Sequence, residues 1–386
     1  MNSKYADIVA FIREVYGIPE GVIPLHAPVF QGNEKKYLEA CIDSTFVSSV
    51  GPFVTEFEQK MAAYTGAHFA VACVNGTAAL FLALKLAGVK AGDEVITQPL
   101  TFVATANAIA YHGAHPVFLD VDRDTLGLSP TALEDYLKNH TRYDSSAHQH
   151  ISTLTNRPVT ACVPVHTFGH PCRIADIVEI CDRFGIPVVE DAAESLSSYY
   201  RGQHTGTFGS IGILSFNGNK ILTTGGGGML LFHDESLAKH AKHLTTQAKV
   251  PHPWAFVHDE VGYNLRMPNL NAALGLAQLE RIDEFRAAKR TIAEKYHAFF
   301  GSIGIEYLSE PPESSSNYWL NTILMNSQED RDDFLEYSNR NGVMTRPAWE
   351  LMNRLPMFSN TKCVSERAKE LTDQAVNLPS SVLLND

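Results

Sequence analysis

Between residues 69 and 232 short, wholly apolar runs alternate with helical patterns, and this rhythm most narrows what the chain can fold into. Residues 69–74, 94–97, 116–119, 159–165, 186–189, 211–216 and 229–232 read as strands. Residues 77–87, 102–111, 133–138 and 174–184 read as helices between them. Strands that are apolar throughout are buried on both faces, so the pattern predicts a mostly parallel, seven-stranded sheet covered by helices. Beyond Glu235 the texture changes. Helices are predicted over 237–246, 272–296 and 334–341, strand-like pieces over 305–325 and a strand over 342–345, which together describe a small α+β domain. Residues 142–158 are polar and predict an insertion or long loop. Ile8, Val9, Ile12 and Val15 mark one face of an amphipathic helix at the N-terminus. The expected division is an N-terminal helical extension (1–22), a large domain (23–250) and a small C-terminal domain (251–386).

Composition sets outer bounds. A chain of 386 residues that is 45% hydrophobic can bury a large core. Its net charge of −12, without a basic run, argues against nucleic-acid binding as the main activity. An anionic small molecule can still be held locally, by an arginine or a helix N-terminus. No apolar run approaches the ~20 residues of a membrane span, and the first residues lack the basic region of a secretion signal. A cytoplasmic protein is expected, with Cys41, Cys73, Cys162, Cys172, Cys181 and Cys363 reduced. The sixteen histidines lack metal-ligand spacing, and no metal is expected.

Four features carry chemistry. Lys220 sits in the tight polar loop 217–220, after one apolar strand and before four glycines, Gly225 to Gly228. An ammonium is costly to desolvate, so Lys220 reads either as a solvated loop residue or as a neutral, nucleophilic amine. Gly76 and Thr77 open a helix directly after a strand, which makes either an ordinary cap or an anion cup. Asp191 stands at the mouth of a buried strand, as a helix cap or as the partner of a cation. Phe102 opens a helix, as core or as a surface on which a flat ring stacks. Gly225 to Gly228 do not form a dinucleotide fingerprint, because a strand follows them.

Taken in order, these features resemble the fold-type I pyridoxal-phosphate aminotransferases, and among them the DegT/DnrJ/EryC1/StrS sugar aminotransferases. The resemblance rests on 75–80 (Asn-Gly-Thr-Ala-Ala-Leu), 101–107, Glu190-Asp-Ala-Ala-Glu194, Ser215-Phe216 with Lys220, and 262–267 (Gly-Tyr-Asn-Leu-Arg-Met). It implies pyridoxal 5'-phosphate as cofactor, with Lys220 as the Schiff-base lysine, Asp191 on the pyridinium nitrogen and Phe102 stacked on the ring. Gly76, Thr77 and Ser215 would hold the phosphate, and Asn264 would reach it from the second subunit of a homodimer. Glu194 would face the cofactor's 3-oxygen.

Three further pieces resemble the legionaminic-acid and bacillosamine branch: 190–195, the loop 215–220 with its glycines, and 345–349 followed by 355–358. That branch implies transfer from L-glutamate to the C4 ketone of a UDP-linked 2-acetamido-4-keto-6-deoxyhexose, in surface-glycan sugar biosynthesis. Ser49, His170, Arg266, Tyr318 and Arg346 are the candidate substrate contacts, and Asn353 departs from the histidine expected there. The rival readings are C3 amination of a dTDP- or GDP-linked keto-sugar and a cofactor-binding regulatory protein without turnover. Lys220 argues against the family's dehydratases, which carry histidine at that position.

Overall fold

The computed structural model describes residues 3–361 and 365–384. Strands Phe69–Cys73, Gly228–Phe232, Ile211–Ser215 and Val189–Asp191 lie side by side in that order. Bridges from Cys162 to Val188 and from Val165 to Asp191 continue the sheet into Val159–Val163. Glu94–Thr97 and His115–Phe118 complete the seven. Gly228–Phe232 runs antiparallel to both neighbours, while the pairings beyond Ile211–Ser215 are parallel. The sheet's side chains explain its burial: Val95, Ile96, Ala161, Val163, Val189, Ile213 and Leu230 are inaccessible to solvent. Helices Gly76–Leu86, Val103–Tyr111 and Ile174–Arg183 supply the connections, and the first two give Leu80, Leu84, Ala108 and Ile109 to the same core.

The smaller sheet is antiparallel, in the order Glu306–Tyr307, Asn321–Leu324, Ala375–Leu378, Arg346–Pro347. The N-terminal helix Ser3–Tyr16 packs into this region: Tyr5, Ile8, Val9, Ile12 and Tyr16 join a core with Tyr296, Phe300, Ile323, Phe334 and Val343. A 14-residue helix is marginal by itself. Burying each of these large side chains contributes about 1.5–3 kcal/mol, which is what holds the helix.

Several local expectations change. The polar stretch 142–158 contains a hairpin, Thr141–Asp144 paired with Gln149–Ser152. The single helix expected over 272–296 is two, Asn269–Leu279 and Ile282–Ser302. At the break between them the Glu280 carboxylate accepts a hydrogen bond from Asn33 at 2.7 Å. Helices Glu34–Asp43 and Pro52–Thr65 were not expected. The short strand near residue 345 is Arg346–Pro347. The five cysteines within the described residues are free and buried, and Cys363 lies outside them.

Candidate functional site

Parallel strands aim their C-terminal ends at one edge of a sheet, where backbone and helix N-termini are exposed together. At that edge a cavity of about 360 Å³ is lined by Gly76, Thr77, Phe102, Asp191, Glu194, Ser215 and Lys220. The residues expected from one chain to meet a cofactor therefore share one space.

The cup forms because Asn75 leaves the strand in an extended conformation and caps the next helix, its Oδ1 accepting from Ala78 N at 2.8 Å. Gly76 and Thr77 occupy the first turn, where amide groups have no intrahelical acceptor and the helix dipole is positive. Gly76 is needed for space: a Cβ there would stand 2.8 Å from the Cβ of Ser215. Phe102 precedes helix Val103–Tyr111 and is half-exposed at 53%, so its ring is not a core filler.

Asp191 is 4% exposed at the end of its strand. Its Oδ2 accepts from Thr105 Oγ1 at 2.8 Å and its Oδ1 from Ala193 N at 3.2 Å. Burial pushes this carboxyl above its usual range, against the pull of those two bonds and of Lys220 and His166. Glu194 is also buried. Its Oε2 accepts from Phe168 N at 2.9 Å, and its Oε1 lies 3.3 Å from Lys220 Nζ. Burial raises Glu194 to about 7, with Lys220 and the Phe168 N–H drawing it back.

Lys220 is presented by a tight turn, its N–H donating to Asn217 O at 3.0 Å. Its Nζ stands 3.8 Å from the centre of the Trp319 ring. Trp319 in turn donates its indole N–H to Asn219 O at 2.7 Å. Trp349, whose ring lies 6.3 Å from that of Phe102 and 4.8 Å from that of Phe168, forms another wall. Sequence reasoning missed both tryptophans and Thr105. The run 345–349 had been singled out for its resemblance, but nothing local in it shows where Trp349 points.

The remaining candidates lie elsewhere in this chain. Asn264 is exposed and bridges to Thr246, outside the cavity. Ser49 is half-buried and Arg346 exposed, neither lining the cavity, and Arg346 donates to Asn339 Oδ1 at 2.8 Å. Arg266 bridges Cys73 at the sheet's edge. His170 is fully buried and does not line the cavity; its ring stands edge-on to Tyr318 at 5.3 Å, with both ring nitrogens unpartnered. Burial holds its imidazole down at about 4. The Tyr318 hydroxyl accepts from Glu310 N at 3.1 Å. Asn353 lies in the turn Met352–Arg354, its Oδ1 buried and unpartnered. His166 bonds Glu190 Oε2 at 3.1 Å and accepts from Cys172 N at 3.2 Å.

The family model described as the DegT/DnrJ/EryC1/StrS aminotransferase family matches residues 28–386. The chain belongs to this family. EpsN of Bacillus subtilis (strain 168), named as a pyridoxal phosphate-dependent aminotransferase, is 38% identical over 364 residues, covering 93% of this chain and 90% of that protein. GDP-perosamine synthase of Escherichia coli O157:H7 is 37% identical over 358 residues, 93% of each. The crystal structure of aminotransferase TlmJ from Streptoalloteichus hindustanus matches at a TM-score of 0.85 and 29% identity, over 95% of each chain. This sugar aminotransferase has the fold-type I architecture and uses pyridoxal phosphate. Its cavity suits that group: an amide-lined cup for a dianion, an exposed aromatic face, a buried carboxylate that needs a cation, and an amine. Among the described residues no helix is long and apolar enough to cross a membrane.

Proposed function

We propose that this aminotransferase moves an amino group from L-glutamate to the C4 ketone of a UDP-linked 2-acetamido-4-keto-6-deoxyhexose. The observation that carries the reading is the single cavity shared by Lys220, Asp191, Glu194 and the Gly76–Thr77 cup. When bound, pyridoxal phosphate supplies an aldehyde and an electron-withdrawing ring. Lys220 is the residue that would hold this group through its amine, and the same amine, when free, is placed to carry a proton within the cavity. Asp191, a deeply buried carboxylate, would hold a protonated ring nitrogen of that group. Ser215 and the first turn of helix Gly76–Leu86 would hold its phosphate and Phe102 would lie against its ring, while Trp319 and Trp349 wall the same cavity.

The choice of a UDP sugar rests on the pieces 190–195, 215–220, 345–349 and 355–358. A GDP-linked 4-keto sugar is the second reading, favoured by the relative named GDP-perosamine synthase. The enzyme acts as a homodimer in which Asn264, exposed here, enters the partner's site. Ser49, His170, Arg266, Tyr318 and Arg346 form or support the sugar-nucleotide face.

Purified protein is expected to show the visible absorbance of lysine-linked cofactor, and Lys220→Ala to lose it. Turnover with glutamate is then compared across UDP-, GDP- and dTDP-linked 3- and 4-keto sugars. Amination of none of them refutes the enzyme reading, and preference for the GDP substrate replaces the UDP assignment.

A further inference from the structure

Lys220 faces an acid other than the one assigned to the ring nitrogen. Glu194 is rigidly placed: one carboxylate oxygen accepts the Phe168 N–H at 2.9 Å, and its main-chain carbonyl accepts from Asn317 Nδ2 at 2.9 Å. The other carboxylate oxygen is 3.3 Å from Lys220 Nζ, and the two side chains are only 6% and 13% exposed. A lone ammonium or a lone carboxylate would be costly in so dry a place. As a pair they have two arrangements with the same net charge, ammonium beside carboxylate or amine beside carboxylic acid. Moving one proton across a single hydrogen bond interconverts them. A lysine that bonds a carbonyl carbon must pass through the amine form and later recover a proton.

We propose that Glu194 and Lys220 share one proton, so that Glu194 stores the proton Lys220 sheds when it acts as a nucleophile and returns it when the amine is released. The proton passes from Nζ to Oε1, which breaks the N–H bond and leaves its electron pair on Nζ; a carbonyl carbon that accepts this pair opens its C=O π bond onto its own oxygen. The idea rests on the reading of Lys220 as the cofactor lysine. Burial lifts the Glu194 carboxyl to about 7, which makes its neutral, proton-holding form more accessible beside Lys220. The Trp319 ring, 3.8 Å from Nζ, favours the ammonium form. The other titratable groups facing the pair are Asp191, which repels the Glu194 carboxylate, and His26, which feels Lys220 and Lys289. His166 acts on Asp191, drawing its carboxyl down.

The test reads the amine directly. The full-length chain, stripped of cofactor, is labelled across pH with a trace of acylating reagent, and the peptide bearing Lys220 is quantified by mass spectrometry. Glu194→Gln keeps an oxygen for the Phe168 N–H but removes the charge. It is expected to lower the midpoint of Lys220 labelling by about one pH unit or more, the usual effect of losing an opposite charge at this range. Glu194→Asp keeps the charge at a longer reach, is expected to fall between the two, and serves alone if the glutamine variant does not fold. A Lys220 midpoint unmoved in the variants overturns the proposal and leaves Glu194 as an anchor for the 166–170 loop. A wild-type protein without the visible band would instead refute the cofactor-lysine reading, and the labelling midpoints are independent of it.

Discussion

Lys289 is fully buried in helix Ile282–Ser302, directly beneath the tryptophan that stands over Lys220. Its Nζ donates to Trp319 O at 3.2 Å and to Ser380 O. Burial lowers its pKa from 10.5 to about 7. A neutral amine has two N–H donors, which matches those two carbonyls. Because the folded pKa is below the unfolded one, the unfolded chain binds more protons between about pH 7 and 10.5, and stability from this group rises with pH across that window. The full displacement corresponds to about 5 kcal/mol, a penalty present in full below pH 7. Lys289→Met removes the penalty but strands two carbonyls, at about 1–3 kcal/mol each. The variant should match the wild type near pH 6 and fall behind it as pH rises, by about 1.4 kcal/mol per pH unit, or about 3 kcal/mol between pH 7 and 9. Urea denaturation of both proteins at several pH values measures the difference. A difference that does not change with pH refutes the argument that Lys289 is neutral in the fold.

Asp191→Asn keeps the shape and the Thr105 bond but removes the charge that holds a protonated ring nitrogen, so kcat should fall by about 10²- to 10⁴-fold while the visible band persists. Gly169→Ala places a Cβ 2.0 Å from Asn317 Oδ1 at a residue with φ of +95°. Asn317 ties Trp319 N to the Glu194 and Leu196 carbonyls. The variant should therefore lose about 1–3 kcal/mol from backbone strain alone, and cofactor affinity with it, read from urea midpoints and cofactor titration.

The large domain was legible because its signals are local. An apolar run, a glycine and a helix start sit next to one another in the sequence, and each marks a strand end that faces the same edge. The order of Gly76, Phe102, Asp191 and Lys220 therefore carried over directly into one cavity. Trp319 was not legible, since its place over Lys220 depends on the small domain closing across about a hundred residues of chain. The break between Asn269–Leu279 and Ile282–Ser302 contains neither glycine nor proline and is accompanied by Glu280 reaching Asn33, so periodicity alone ran the two helices together. Helix Glu34–Asp43 buries only Glu34 and Cys41, too thin an apolar stripe to register. His170 and Tyr318 were candidates through the resemblance; both are buried, ring against ring, and neither lines the cavity.

Gly228 is in register with Cys73 on one side and with Ser215 on the other. A Cβ at this position would lie 2.4 Å from Asn75 O, so the strand can enter only with glycine here. The two halves of the phosphate cup, made more than a hundred residues apart, thus meet through a single residue. Without this strand the two halves would not be neighbours, since Phe69–Cys73 and Ile211–Ser215 are joined through it. A slip of one residue along this strand would shift the halves by about 3.3 Å, enough to break the cup while most of the core survives.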